Sequence, residues 1–207
     1  MQIPGDLMIH LGQPYTKQEI AGAFEAEFTA VYNFFAAIDE AQFLSAPEGV
    51  WSPAENLVHL IKSCAPVIMA LNIPKTALRI RFGWVRHELR TLAQVRHTYV
   101  NEALANGGQA GGPFLPEGVE AIAGTQARIL AKWQEKGTEL QAALGKWPDK
   151  ALDNYLLPHP LLGKMTVREI LFFTLYHNLH HVNDVQRLLN QPESEWFVPA
   201  SQVNKSV

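Results

Sequence analysis

Cysteine is nearly absent from this chain of 207 residues: Cys64 stands alone, so no disulfide can form within the chain. It falls on the apolar side of its predicted helix, away from the nearest histidine, which suits a core thiol better than a nucleophile. Charge is also scarce. Charged residues make up 18% of the sequence and the net charge is −3, which favours neither a disordered chain nor a general nucleic-acid binder. An anionic partner would have to be met by a local patch. No segment approaches the roughly 20 apolar residues that span a bilayer, and Met1–His10 has neither the basic start nor the apolar stretch of an export signal. The expectation is a cytoplasmic protein without a membrane or nucleic-acid partner. Internal repeats are missing, which excludes a solenoid, and the glycine-rich stretch lacks the Gly-Lys-Ser/Thr ending of a phosphate loop.

What the chain has is hydrophobic spacing at helical period. Its length suits one sizeable core, so residues 1–207 read as a single domain. Three helix starts share one chemistry, in which a hydroxyl caps open backbone N–H groups and a glutamate three residues later reciprocates. They are Thr16 with Glu19, Ser52 with Glu55, and Thr166 with Glu169. The first helix is predicted from Lys17 to Leu44, burying Ile20, Phe24, Phe28, Val31, Phe34, Phe35 and Ile38. A second runs from Pro53 to Asn72, kinked or shortened at Pro66. The segment Pro74–Asn106 is helical and basic, with Lys75, Arg79, Arg81, Arg86, Arg90 and Arg96 against Glu88. That run is either a solvated face or a contact for an anionic substrate. Asn106–Gly118 is a glycine-rich connector in which Phe114 and Leu115 either close over a pocket or simply join helices. A third long helix spans Val119 to Leu144, marked by Ile122, Ile129, Trp133 and Leu140, and the last spans Val167 to Asn190. Between these two, His159 sits between Pro158 and Pro160, shaping a turn or reaching toward a metal.

The last helix carries His177, His180 and His181. At about 100° per residue, His177 and His181 share an inward face with Ile170, Thr174, Asp184, Val185 and Leu188. His180 falls beside Tyr176, Asn183 and Arg187, toward solvent or a partner. On the second helix, His59 lies at the margin of the apolar side. Three imidazoles from two helices can hold a divalent metal and leave a coordination position open; the alternative is core histidines satisfied by hydrogen bonds. A ligating imidazole donates its other N–H to an acceptor, for which Glu55, Asp184, Asn56 and His159 are candidates. Glu55 has a competing role in its capping box.

Trp51-Ser52, Glu55 and Leu57-Val58-His59-Leu60, then His159-Pro160 with Gly163, then His177-Asn-Leu-His-His181, together resemble the DinB/YfiT-like superfamily of metalloenzymes. The resemblance spans almost the whole chain. It implies an all-α fold, an up-down four-helix bundle with an additional helical segment between the second and third bundle helices. It also implies a metal site at His59, His177 and His181, and a homodimer, to which Phe172 and Leu179 on the outward arc of the last helix add a hint. The implied activities are thiol-dependent transfer and metal-dependent hydrolysis of a small-molecule substrate. Zinc or nickel is the expected ion, with a low-molecular-weight thiol as co-substrate, and Glu55 and Asp184 are the candidate catalytic groups that orient an imidazole or move a proton. A different class of reading is a non-catalytic bundle that binds a small molecule or partner and keeps a residual metal site.

Overall fold

The computed structural model describes residues 9–116, 119–120 and 122–197; most of the amino-terminal segment read above for export lies outside them. All three expected capping boxes are present, and they open α1 (Lys17–Ala36), α3 (Pro53–Asn72) and α7 (Val167–Leu188). Between the first two lies the short α2 (Glu40–Phe43). The long helix expected through Leu44 is therefore broken, because the Asp39 side chain caps a new start by accepting from the Ala41 N–H at 3.0 Å. Pro66 does not shorten α3, which continues to Asn72. Among the described residues α3 alone is long and apolar enough to cross a bilayer by length and composition, which corrects the expectation that no segment approaches that span. Here it packs on other helices, with Leu57, Leu60 and Cys64 fully buried.

The additional helical segment consists of α4 (Lys75–Phe82) and α5 (Leu92–His97), the latter running on into a π-helical stretch, Thr98–Leu104. α6 (Thr125–Gly145) starts later than expected: Gly124 breaks the helix with φ +78°, and Ile122 is exposed rather than core. The connector after α6 is not wholly irregular. Leu156–His159 (β1) and Gly163–Thr166 (β2) form an antiparallel hairpin, so the all-α expectation holds for the bundle and is corrected here. Pro158 and Pro160 push the residues before them into extended backbone, which favours strand over helix. At its far end α7 stops in a Schellman motif: Asn190 takes φ +54°, its N–H donates to Arg187 O, and the Gln191 N–H donates to Gln186 O.

In the bundle, α1 and α3 each pack against both α6 and α7. Side-chain hydrogen bonds give the directions. Gln126 at the start of α6 donates to Phe35 and Ile38 at the end of α1, while Gln141 donates to Ala21 near its start, so these two helices are antiparallel. Arg168 meets Tyr15, and Asn178 meets Glu27, so α1 and α7 are parallel. Asn56 meets His181 and His59 meets His177, so α3 and α7 are antiparallel. It follows that α3 and α6 run the same way, as the bond from Trp147 Nε1 to Leu71 O near their ends confirms. The order is up-down-down-up rather than the simple alternation expected. The long excursion between α3 and α6 supplies the return path that a short loop would not.

Packing fixes this arrangement closely. The Phe28 and Trp133 rings stack at 4.2 Å, and Gly137 lies so near that a Cβ there would come within 2.7 Å of Phe28. Arg168, buried at the start of α7, is held by Asp153 and Asp149. Phe172 and Leu179 lie inside the core. They cannot serve as an outward dimer patch, because α5, the hairpin and the bundle leave almost none of α7 uncovered.

Candidate metal centre

His59 reaches the centre from the first turns of α3, and His177 and His181 reach it from successive turns of α7. The three imidazoles are buried, and one ring nitrogen from each lies within 4.8 Å of the other two. His59 Nε2 and His177 Nε2 are 3.2 Å apart. Two nitrogens bound to one tetrahedral zinc at about 2.0–2.1 Å would stand roughly 3.3–3.4 Å from each other, so the observed spacing fits a shared ion. The face reading is correct for both α7 histidines.

The other ring nitrogens decide whether these lone pairs can converge. Asn56 Nδ2 donates to Ser52 O at 3.0 Å, which turns its Oδ1 toward His181 Nδ1 at 2.8 Å. His181 therefore carries its proton on Nδ1 and offers Nε2 as a lone pair. His59 Nδ1 lies 2.7 Å from the Phe114 carbonyl, an acceptor only, so its proton is also on Nδ1. Burial lowers the pKa of all three histidines, most strongly for His177 and His181, where the neighbouring imidazoles add to the effect. Neutral rings with hydrogen-bonded outer nitrogens are the form in which imidazole binds a dication.

Asn56→Ala is expected to weaken zinc binding by about 10–100-fold with the helix content unchanged. Competition against a chromophoric chelator measures this directly. An unchanged affinity would mean that Asn56 does not orient His181.

The remaining candidates fall in different places. Asp184 Oδ2 is 3.4 Å from His181 Nδ1 and 3.6 Å from His180 Nε2, and its Oδ1 is held by Arg187. Glu55 lies at the helix start, where Oε2 accepts from the Ser52 N–H at 2.7 Å and the Ser52 hydroxyl at 2.9 Å. His159 Nδ1 accepts from the Leu161 and Leu162 N–H groups, so it shapes the hairpin turn as one of its two readings proposed. His180 is not in the three-histidine cluster, but neither does it simply face solvent; it is half-buried and lines the same cavity as the triad. Cys64 is fully buried, with its thiol pushed up to about 12 by burial, which keeps it protonated and out of the chemistry.

Several further participants were not assigned to the site from the sequence. Trp51 lies nearly parallel to the His181 ring at 6.0 Å, Phe173 stacks on His177 at 5.0 Å, and Tyr99 from the π-helical stretch meets His177 edge-on. Phe114 contributes a backbone carbonyl, which any residue could supply. That bond, with Lys62 Nζ donating to Leu115 O, pins the connector against α3. Together these groups wall a cavity of about 1260 Å³ that opens from the triad.

The sequence pattern of the DinB superfamily matches residues 23–185, a span that holds all three histidines. No curated protein and no solved structure matches.

Proposed function

Since the chain belongs to the DinB superfamily, we propose that it is a divalent-metal-dependent enzyme, a thiol-dependent transferase, with His59, His177 and His181 holding zinc or nickel. The convergence of three buried imidazoles at one cavity floor, two of them with hydrogen-bonded outer nitrogens, carries the reading. A bound dication would leave one position open and lower the pKa of a thiol or water there. The chain's own residues do the rest. Glu55 fixes the start of α3 and with it the placement of His59, while Asn56 sets the tautomer of His181. Trp51 and Phe173 keep water from the ring faces. Asp184, facing His180, is the acidic group on the cavity wall and the candidate to carry away a thiol proton.

Room for two reactants supports transfer over hydrolysis: the cavity exceeds the roughly 300–1,000 Å³ of an ordinary small-molecule site. In such a transfer the thiol sulfur bonds to an electrophilic carbon, the carbon's bond to its leaving group breaks, and the thiol proton goes to solvent. The test supplies zinc- or nickel-loaded protein with cysteine or glutathione and an activated aryl chloride, and follows thioether formation. Metal-dependent acceleration is expected. Ester hydrolysis without any thiol would replace the transferase with a hydrolase, and a loaded protein inert toward both would favour the non-catalytic bundle.

A further inference from the structure

The cavity runs well beyond the triad, and its two ends differ in character. Its lining extends along α3 from His59 to Ile73 and along the antiparallel α7 from Asp184 back to Ile170. Each stretch covers about 21 Å of helix axis. At the triad end stand imidazoles and Asp184. Beyond them the wall is apolar: Val67, Met69 and Ala70 from α3, Phe82 from α4, Leu104, and Leu161 from the hairpin. Lys164 Nζ donates to Phe82 O at 3.0 Å, joining α4 to the hairpin at this far end.

Among the described residues one permanent cation lines the cavity, and it is Arg81, at the end of α4. Of the other arginines in the basic segment, Arg86 does not line the cavity and three have described partners. Arg90 is paired with Glu169, Arg96 with Glu195, and Arg79 lies over the rings of Trp84 and Tyr155. For Arg81 the described contact is its position over the Phe82 ring at 5.6 Å, and no carboxylate among the described residues pairs with it. Among the described residues Asp184 is the sole lining carboxylate, and Arg187 already holds it. The far end thus offers an apolar trough edged by an exposed guanidinium that no described carboxylate pairs, whose planar donors suit a carboxylate.

We infer that the second substrate is an elongated apolar carboxylate, its acid group on Arg81, its chain along α3 and its reacting carbon toward the histidine triad. This deepens the proposed function and takes the metal-bearing end from it. The basic segment then has one residue that meets the substrate while Arg79 and Arg90 make contacts within the fold. Met69, exposed at the cavity edge, and the half-buried Ala70 supply the apolar contact.

Titration calorimetry with laurate and dodecanol, on protein whose metal content is measured by elemental mass spectrometry, tests the inference. Laurate is expected to bind, and Arg81→Gln to weaken it about fivefold, an exposed ion pair's share of affinity, with dodecanol changed less than twofold. Ala70→Trp fills the trough and should abolish binding of both. His177→Ala separates this inference from the metal reading: laurate should still bind in the variant, with or without loss of metal. Equal loss of laurate and dodecanol in Arg81→Gln would overturn the placement of the acid. Loss of laurate in His177→Ala alone would place the carboxylate at the triad instead. Absence of binding by both probes would remove the apolar substrate while leaving the metal site standing.

Discussion

Replacing His177 with alanine is expected to drop the bound divalent metal from about one equivalent to background, with helicity retained. Four-ligand zinc sites bind with about 10–16 kcal/mol, so one imidazole of three is worth on the order of 3 kcal/mol, a loss of at least about a hundredfold in affinity. His181→Ala should behave alike. His180→Ala should keep its metal, since His180 lies outside the cluster. Thermal melts offer a second readout, because a ligand at 1,000 times its Kd adds about 4 kcal/mol to the native state. Added zinc should raise the melting temperature of the unaltered protein and of His180→Ala, and raise that of His177→Ala by at most about a third as much. Undiminished metal in both the His177 and His181 variants would remove the proposed centre; loss of metal in His180→Ala would show that the cluster is drawn wrongly.

Glu27→Gln should stabilise the protein at neutral and alkaline pH and do little near pH 4. Glu27 is fully buried on α1, and its Oε2 accepts from Asn178 Nδ2 at 2.9 Å. Its Oε1 and Asn178 Oδ1 have no partner. A protonated carboxyl group can donate from Oε1 to that amide oxygen and satisfy both atoms, whereas a carboxylate leaves two acceptors and a charge in the core. Burial accordingly holds the Glu27 pKa well above its ordinary 4.5. Below that ordinary value both folded and unfolded chains carry the proton, and the contribution is complete. As pH rises past it, the unfolded chain loses the proton first. Stability then falls by up to about 1.4 kcal/mol per pH unit until the native carboxyl ionises too. A glutamine amide makes the same two bonds at every pH. Urea denaturation from pH 4 to pH 8 should show the two midpoints diverging as pH increases. Parallel curves would mean that Glu27 is already ionised in the core, or reaches water.

Much of the site was legible because helices report their own faces. The spacing of His177 and His181 among Ile170, Thr174 and Val185 placed both rings on one side of α7, and the same geometry put His59 beside Asn56 on α3. The rule failed at His180, Phe172 and Leu179. It assumes one buried face and one wet face, and α5 with the hairpin covers the side of α7 that a bare bundle would leave to solvent. Asn56 could be named as a partner for an imidazole but not chosen over Glu55, because the choice depends on how α3 and α7 cross. Phe114 could be named as a residue near a pocket, which it lines, but its carbonyl bond to His59 was beyond reach, since a backbone carbonyl has no residue-type signature.

Alone, the sequence determined the capped starts of α1, α3 and α7, the apolar stripes that bury them, the family, and the three imidazoles able to share an ion. The caps, the stripes and the His177–His181 pair follow from residues a few positions apart, whose relation a helix dictates, while His59 joined them through the family resemblance. Only the tertiary structure decided the up-down-down-up order, the tautomers set by Asn56 and Phe114, the Glu27–Asn178 pair, and the long cavity with Arg81 at its far end. Each of these joins segments tens to more than a hundred residues apart, and such contacts arise from how whole helices pack rather than from the spacing within any one of them.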